Sequence, residues 1–173
     1  MATNLRISGA QAFPYSESDI RVNFRHPRRV IAAANANITT GGSQGQFYSA
    51  DHGETWSQSS LPLIPGDLFH SDPAVDWTAD GTAWSITIGI DGAFNLRMRA
   101  YNSTDGGATW TFDATFSGGQ TNADKGMMWV DHSPGSSFRD NIYTIWHNGT
   151  PVFVNRRVAS TGTWQVPIQV ERR

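Results

Sequence analysis

Three times in this chain a carboxylate stands just ahead of a short apolar run. The stretches are Tyr15-Ser-Glu17-Ser-Asp19-Ile-Arg21-Val22, His70-Ser-Asp72-Pro-Ala-Val-Asp76-Trp77 and Asn122-Ala-Asp124-Lys125-Gly-Met-Met-Trp129-Val-Asp131. Carboxylates that converge raise one another's pKa, so one of them can hold a proton for general-acid work. The same oxygens can accept hydrogen bonds from sugar hydroxyls or ligate calcium. No motif indicates a metal, however, and the sequence calls for no cofactor. A plainer role competes at each position, because a carboxylate at a strand entrance can simply accept from backbone N–H groups. The candidate ligand-binding residues are Glu17, Asp19, Arg21, His70, Asp72, Asp76, Asp124, Lys125 and Asp131. His70 is included for its closeness to Asp72, while the other histidines are dispersed without metal-ligand spacing.

The elements that must position these groups are phased by a doubled phrase. Ser49-Ala-Asp51-His-Gly53-Glu-Thr55-Trp56 and Ser103-Thr-Asp105-Gly-Gly107-Ala-Thr109-Trp110 share Ser-x-Asp-x-Gly-x-Thr-Trp. Such a phrase suits a tight hairpin: Asp accepts from the N–H groups of its own turn and Gly supplies a positive φ. Trp56 to Trp110 is 54 residues, and a further 54 reaches Trp164, where Thr163-Trp164 survives but Ala159 stands in the place of the Asp. Glu17 to Asp72 is 55 and Asp72 to Asp124 is 52, so the acidic stretches keep the same period.

Each unit carries about four short alternating runs between Gly, Pro, Asn and Asp turns. The first has Ser18 to Phe24, Val30 to Asn35, Gln44 to Ser49 and Thr55 to Gln58; the second has Pro73 to Trp77, Ala83 to Ile90, Asn95 to Asn102 and Trp110 to Phe116. The third has Met127 to Asp131, Asn141 to His147, Pro151 to Val158 and Thr163 to Val170. Four antiparallel strands per unit of about 50 residues is the pattern of a β-propeller blade. The innermost strand of a blade lines a central channel, which is where the acidic stretches fall. Trp77, Trp84, Trp129 and Trp146 offer faces for sugar stacking or for packing between blades.

Composition agrees with an all-β domain. The 173 residues suffice for one ordinary domain, and 17 Gly, 7 Trp and 9 Phe favour strands and turns over helices. A formal charge of −2 with 16% charged residues gives no reason to expect nucleic acid or an anionic membrane as partner. Cysteine is absent, so neither a disulfide framework nor a Cys-based site is available. The Met1-Ala-Thr-Asn-Leu-Arg-Ile start has no signal-peptide pattern, and no run approaches the roughly 18 apolar residues of a membrane span.

The doubled phrase resembles the Asp-box, or BNR repeat, of the sialidase superfamily, with Ser49, Asp51, Gly53, Thr55, Trp56, Ser103, Asp105, Gly107, Thr109 and Trp110 as its structural positions. Further likeness lies in Glu17 to Pro27, in Ser71-Asp-Pro followed by Asp80-Gly-Thr82, and in Asp124-Lys with Trp129-Val-Asp131. The resemblance implies peripheral hairpins for the Asp-boxes, an extracellular setting and a propeller of six blades, of which this chain carries three. Residues 1–14 are then a leader or a ring-closing strand, and 15–173 a half propeller with blades at about 15–66, 67–119 and 120–173. Two copies closing one ring, a homodimer, is the expected assembly, with Leu5-Arg-Ile7 as an edge strand or a loose leader. Family enzymes use an arginine triad, an Asp acid/base and a Tyr/Glu nucleophile pair. The Phe-Arg-Ile-Pro phrase that carries a catalytic Arg is missing here, and Tyr15, Tyr48, Tyr101 and Tyr143 have no matching context. The leading expectation is therefore a glycan-recognising module that is non-catalytic as a single chain. A sialidase-like glycoside hydrolase completed by a second chain or half, and a protein-binding scaffold, are the alternatives.

Overall fold

The computed structural model describes residues 5–9, 14–36 and 44–170. The described residues form three antiparallel sheets and no helix. The first sheet runs β1 (Tyr15–Val22), β2 (Val30–Ala36), β3 (Gly45–Ser49), β4 (Ser57–Ser60), each strand beside the next. The second repeats this order with β5 (Asp67–Trp77), β6 (Ala83–Asp91), β7 (Leu96–Ser103) and β8 (Thr111–Thr115). The third has β9 (Ala123–Val130), β10 (Ile142–Asn148), β11 (Val152–Val158), β12 (Thr163–Trp164) and β13 (Ile168–Gln169), the last two both pairing with β11. Leu5 to Gly9 forms no strand, and residues 1–4 and 10–13 of the expected leader lie outside the described residues.

Alternation in these strands faces two ways because the middle sheet is buried on both sides. One core joins the first and second sheets through Ile31, Ala33, Leu61, Val75, Trp77 and Tyr101. The other joins the second and third through Ile86, Ile88, Met98, Met128, Val130 and Trp146. Burial of these side chains from both faces supplies the main drive for stacking the sheets. The leading strands β1, β5 and β9 lie at the centre, where β1 packs on β5 and β5 on β9.

Each leading strand breaks its ladder at the same place. The register slips between Ser16 and Asp19, between Ser71 and Ala74, and opposite Ile145 to His147 in β9. At these bulges Glu17, Asp72 and Lys125 take φ of 49°, 52° and 54°. Non-glycine residues rarely adopt this region, and bulges re-aim side chains out of the pleat. The bulges also explain why the leading strands start earlier than their apolar runs suggest: β1 begins at Tyr15, β5 at Asp67 and β9 at Ala123, carrying the acidic stretch into the sheet.

The doubled phrase closes two matching hairpins. Asp51 accepts from Ser49 Oγ at 2.7 Å, Thr55 N at 2.9 Å and Thr55 Oγ1 at 2.5 Å. Asp105 accepts from Ser103 Oγ, Thr109 N and Thr109 Oγ1 at 2.8, 2.9 and 2.6 Å. These bonds hold Thr55 and Trp56 in the turn, so β4 starts at Ser57 and not at Thr55 as the sequence suggests. The expected strand Thr163 to Val170 is split in two at Pro167, which has no N–H to give the ladder.

Candidate functional site

The three bulges bring Glu17, Asp72 and Lys125 to one point. Lys125 Nζ lies 3.8 Å from Glu17 Oε2, and the Glu17 and Asp72 carboxyl groups share a hydrogen bond. Asn35, at the end of β2, ties the group together. Its Nδ2 lies 3.3 Å from Glu17 Oε2, 3.1 Å from Ser71 Oγ and 3.2 Å from Asp72 Oδ1, while its Oδ1 accepts from Asp72 N at 2.7 Å. Ser71 Oγ donates to Asp72 at 2.7 Å.

Two carboxyl groups this close cannot both stay ionised cheaply. The hydrogen bond with Asp72, then burial and the charge of Asp72, push Glu17 up from 4.5 against the opposing pull of Lys125. Burial also pushes Asp72 up, but hydrogen bonds from Glu17, Ser71 and Asn35 outweigh it and hold Asp72 below 3.8. Within the pair, protonation is thus favoured on Glu17 and ionisation on Asp72, beside the ammonium group of Lys125. The cluster offers a donor, an acceptor and a cation, the assortment that polyhydroxylated ligands use.

The other sequence candidates lie elsewhere. Asp124 is one residue off the bulge, 3.9 Å from His147 Nε2, and Lys125 occupies the position that Glu17 and Asp72 hold in their own strands. Asp19 accepts from Val75 N at 3.0 Å and pairs with Arg21 at 2.7 Å; Asp76 accepts from Val130 N at 3.0 Å. Asp19 and Asp76 thus join neighbouring sheets along their leading strands. Burial raises the pKa of Asp76, whose Oδ1 lies 3.3 Å from His132 Nε2. Asp131 accepts from Ser133 N and Ser136 Oγ in the β9–β10 turn, and these bonds lower its pKa. His70 is 5% exposed, meets Tyr101 Oη at 3.2 Å, and is pushed down to about 4 by burial.

Two features were not among the sequence candidates, and one of them, Asn35, belongs to the cluster. Asn35 ends the Ala-rich run Val30-Ile-Ala-Ala-Ala-Asn, and that lone polar residue was the available signal. The buried ion pair Arg99–Asp67, at 2.7 Å, left no signal beyond Gly89, where a Cβ would sit 2.2 Å from Asp67 Oδ2. Among the described residues no group of three or more His, Asp or Glu side chains could hold a metal ion.

No family model and no curated protein sequence matches the chain. Solved structures do. A Hadza microbial sialidase superposes with a TM-score of 0.65 at 16% identity, covering 89% of this chain and 33% of its own. The GH93 α-L-arabinofuranosidase of Fusarium graminearum, in complex with arabinobiose, gives 0.61 at 13%, covering 92% and 49%. The α-L-arabinanase of Penicillium chrysogenum, also with arabinobiose, gives 0.62 at 14%, covering 94% and 52%. The fold is that of a partial β-propeller. The chain spans about a third to a half of the length of these structures.

Proposed function

We propose that this chain is a glycan-recognising propeller module of the sialidase-like kind, whose ligand site is the Glu17–Asp72–Lys125 cluster. The observation that carries the reading is the triple bulge: three strands from three sheets each adopt a φ near 50° to aim one polar side chain at a shared point. Backbone strain of this type persists where the surrounding structure over-determines it and function uses it. The three sheets are read as three blades, the hairpins at Asp51 and Asp105 as Asp-boxes at the end away from the cluster, and residues 15–173 as half of a six-bladed ring. The remaining half is assigned to a second copy.

Recognition without hydrolysis is favoured by the sequence, which lacks the Phe-Arg-Ile-Pro phrase and gives none of Tyr15, Tyr48, Tyr101 and Tyr143 the matching context of a nucleophile. The raised pKa of Glu17 favours one second reading, a general acid working with groups from the missing half of the ring. An immobilised panel of neutral and sialylated oligosaccharides separates these. The wild type is expected to be retained by at least one sugar, with tenfold or greater loss in Lys125→Met and Asp72→Asn. A fluorogenic sialoside is expected to stay intact. Release of its leaving group, abolished in Glu17→Gln, would establish the hydrolase instead, and equal retention of wild type and variants would remove the cluster from the reading.

A further inference from the structure

Among the described residues, nothing covers one face of the third sheet. Met127 is 61% and Trp129 60% exposed, and with Tyr143, Ile145 and Ile168 they line a mainly apolar groove of about 1020 Å³ that Arg21 and Arg156 also border. Counting from the bulge residue of each leading strand shows what this face is. Two and four residues beyond the bulge stand Asp19 and Arg21 in β1, Ala74 and Asp76 in β5, and Met127 and Trp129 in β9. In β5 these positions turn toward the next sheet; Ala74 is in the core shared with the third sheet and Asp76 bonds Val130 there. Their partners across the ladder agree: Trp84 opposite Asp76 and Ile86 opposite Ala74 correspond to Tyr143 opposite Trp129 and Ile145 opposite Met127. The open face is therefore the one on which a following sheet packs.

Three and five residues beyond the bulge stand the complementary positions. Val75 and Trp77, and likewise Met128 and Val130, are buried against the preceding sheet. Their counterparts in β1 are Ile20 and Val22, which are 53% and 54% exposed.

We infer that the open face of the third sheet is covered by the first sheet of a second copy, so that two chains close one ring. This rests on the propeller reading above and is independent of glycan recognition. Two matched absences select the first sheet as the occupant. Inside the chain each seam is joined by a carboxylate of one sheet that accepts a backbone N–H of the next, from Asp19 to Val75 N and from Asp76 to Val130 N. Met127 and Trp129 have no carboxylate to offer; correspondingly Ile20 N already donates to its own neighbour Asp19 at 2.9 Å. The outer rim repeats the match. Trp110 Nε1 donates to Ser59 Oγ and Trp164 Nε1 to Asp113 Oδ2, each acceptor lying three residues beyond the preceding Trp. The third sheet has Pro167 at that place, without an acceptor, and Trp56 Nε1 donates within its own hairpin to Gly53 O at 2.9 Å. A strand face without a carboxylate meets a strand whose Ile20 N–H is already satisfied, and a seam of this kind does not depend on charge pairs that salt would screen.

The absence of native cysteine makes a direct test available. By the register of the internal seams, Met127 of one copy faces Ile20 of the other. Light scattering at micromolar concentration should give about 38 kDa, twice the 19.0 kDa chain, at both low and high salt. Under oxidation the double variant Ile20→Cys/Met127→Cys should form covalent dimers, and neither single variant should. Met127→Asp, on an exposed face, should melt cooperatively as a monomer. A wild-type mass of 19.0 kDa would overturn the inference. So would efficient cross-linking through Met127→Cys alone, which would place third sheet on third sheet.

Discussion

At the residue scale the chemistry is set by where protons sit. His70 is buried neutral, so its folded pKa lies below the unfolded one, at about 4 against 6.5. Its contribution is fully present above 6.5 and is lost as pH falls toward 4. The size of that loss is on the order of 3 kcal/mol, from 1.36 kcal/mol per unit. Thermal melts from neutral to acid pH should therefore show a shallower acid decline in His70→Gln than in wild type; parallel curves would mean that other groups govern this range. Glu17 works in the opposite sense. Its pKa is raised, so the proton-linked stabilisation is present below 4.5 and disappears as pH rises through the folded value. Asp124 and Lys125 were both candidates in the third repeat, and the 52-residue spacing from Asp72 ends on Asp124, one position short of the bulge. The selecting feature is the bulge, a backbone conformation that does not require an acidic side chain, so a period counted between carboxylates is off by one there. Asn35 escaped for a related reason: its role depends on β2 ending beside β5, a long-range contact invisible in a local pattern.

At the scale of elements, the sequence was most legible where a turn needs particular residues. Ser, Asp, Gly and Thr in the doubled phrase each have a bond or a φ to satisfy, which is why the spacing could be read as a hairpin. The hairpin of the second sheet also docks on the first. Gly107, at φ 100°, would place a Cβ 3.0 Å from both Ile31 Cγ2 and Tyr48 Cβ, and Ser59 Oγ donates to Gly107 O at 2.6 Å. Gly107→Ala combines backbone strain with this contact and should cost about 2 kcal/mol or more, against about 1 kcal/mol for Asp105→Ala, which loses turn bonds alone. Denaturant unfolding of the two variants checks the order. A smaller loss for Gly107→Ala would mean that the hairpin does not anchor the sheets. Strand ends were less legible: the leading strands began too late and β12–β13 appeared as one, because bulges and Pro167 act through ladder geometry and not through hydropathy.

At the scale of the molecule, the repeat period made the succession of sheets legible, and the likeness to carbohydrate-active propellers at 11–16% identity rests on that architecture. What repetition alone could not reveal is how the repeats differ. Asp19 and Asp76 looked like channel groups and turned out to join sheets, while the equivalent places in β9 are apolar. These differences polarise the molecule. One end carries the Asp51 and Asp105 hairpins, the other the Glu17–Asp72–Lys125 cluster, and the ligand recognition proposed above belongs to the latter alone. The most direct test is to map amide chemical shifts during titration with arabinobiose, β-1,3-galactotriose and a sialoside. A sugar that binds at the proposed site should perturb Asn35, Ser71, Asp72 and Lys125 together. Perturbations confined to the hairpins around Asp51 and Asp105, or none with any of the three sugars, would contradict the proposal.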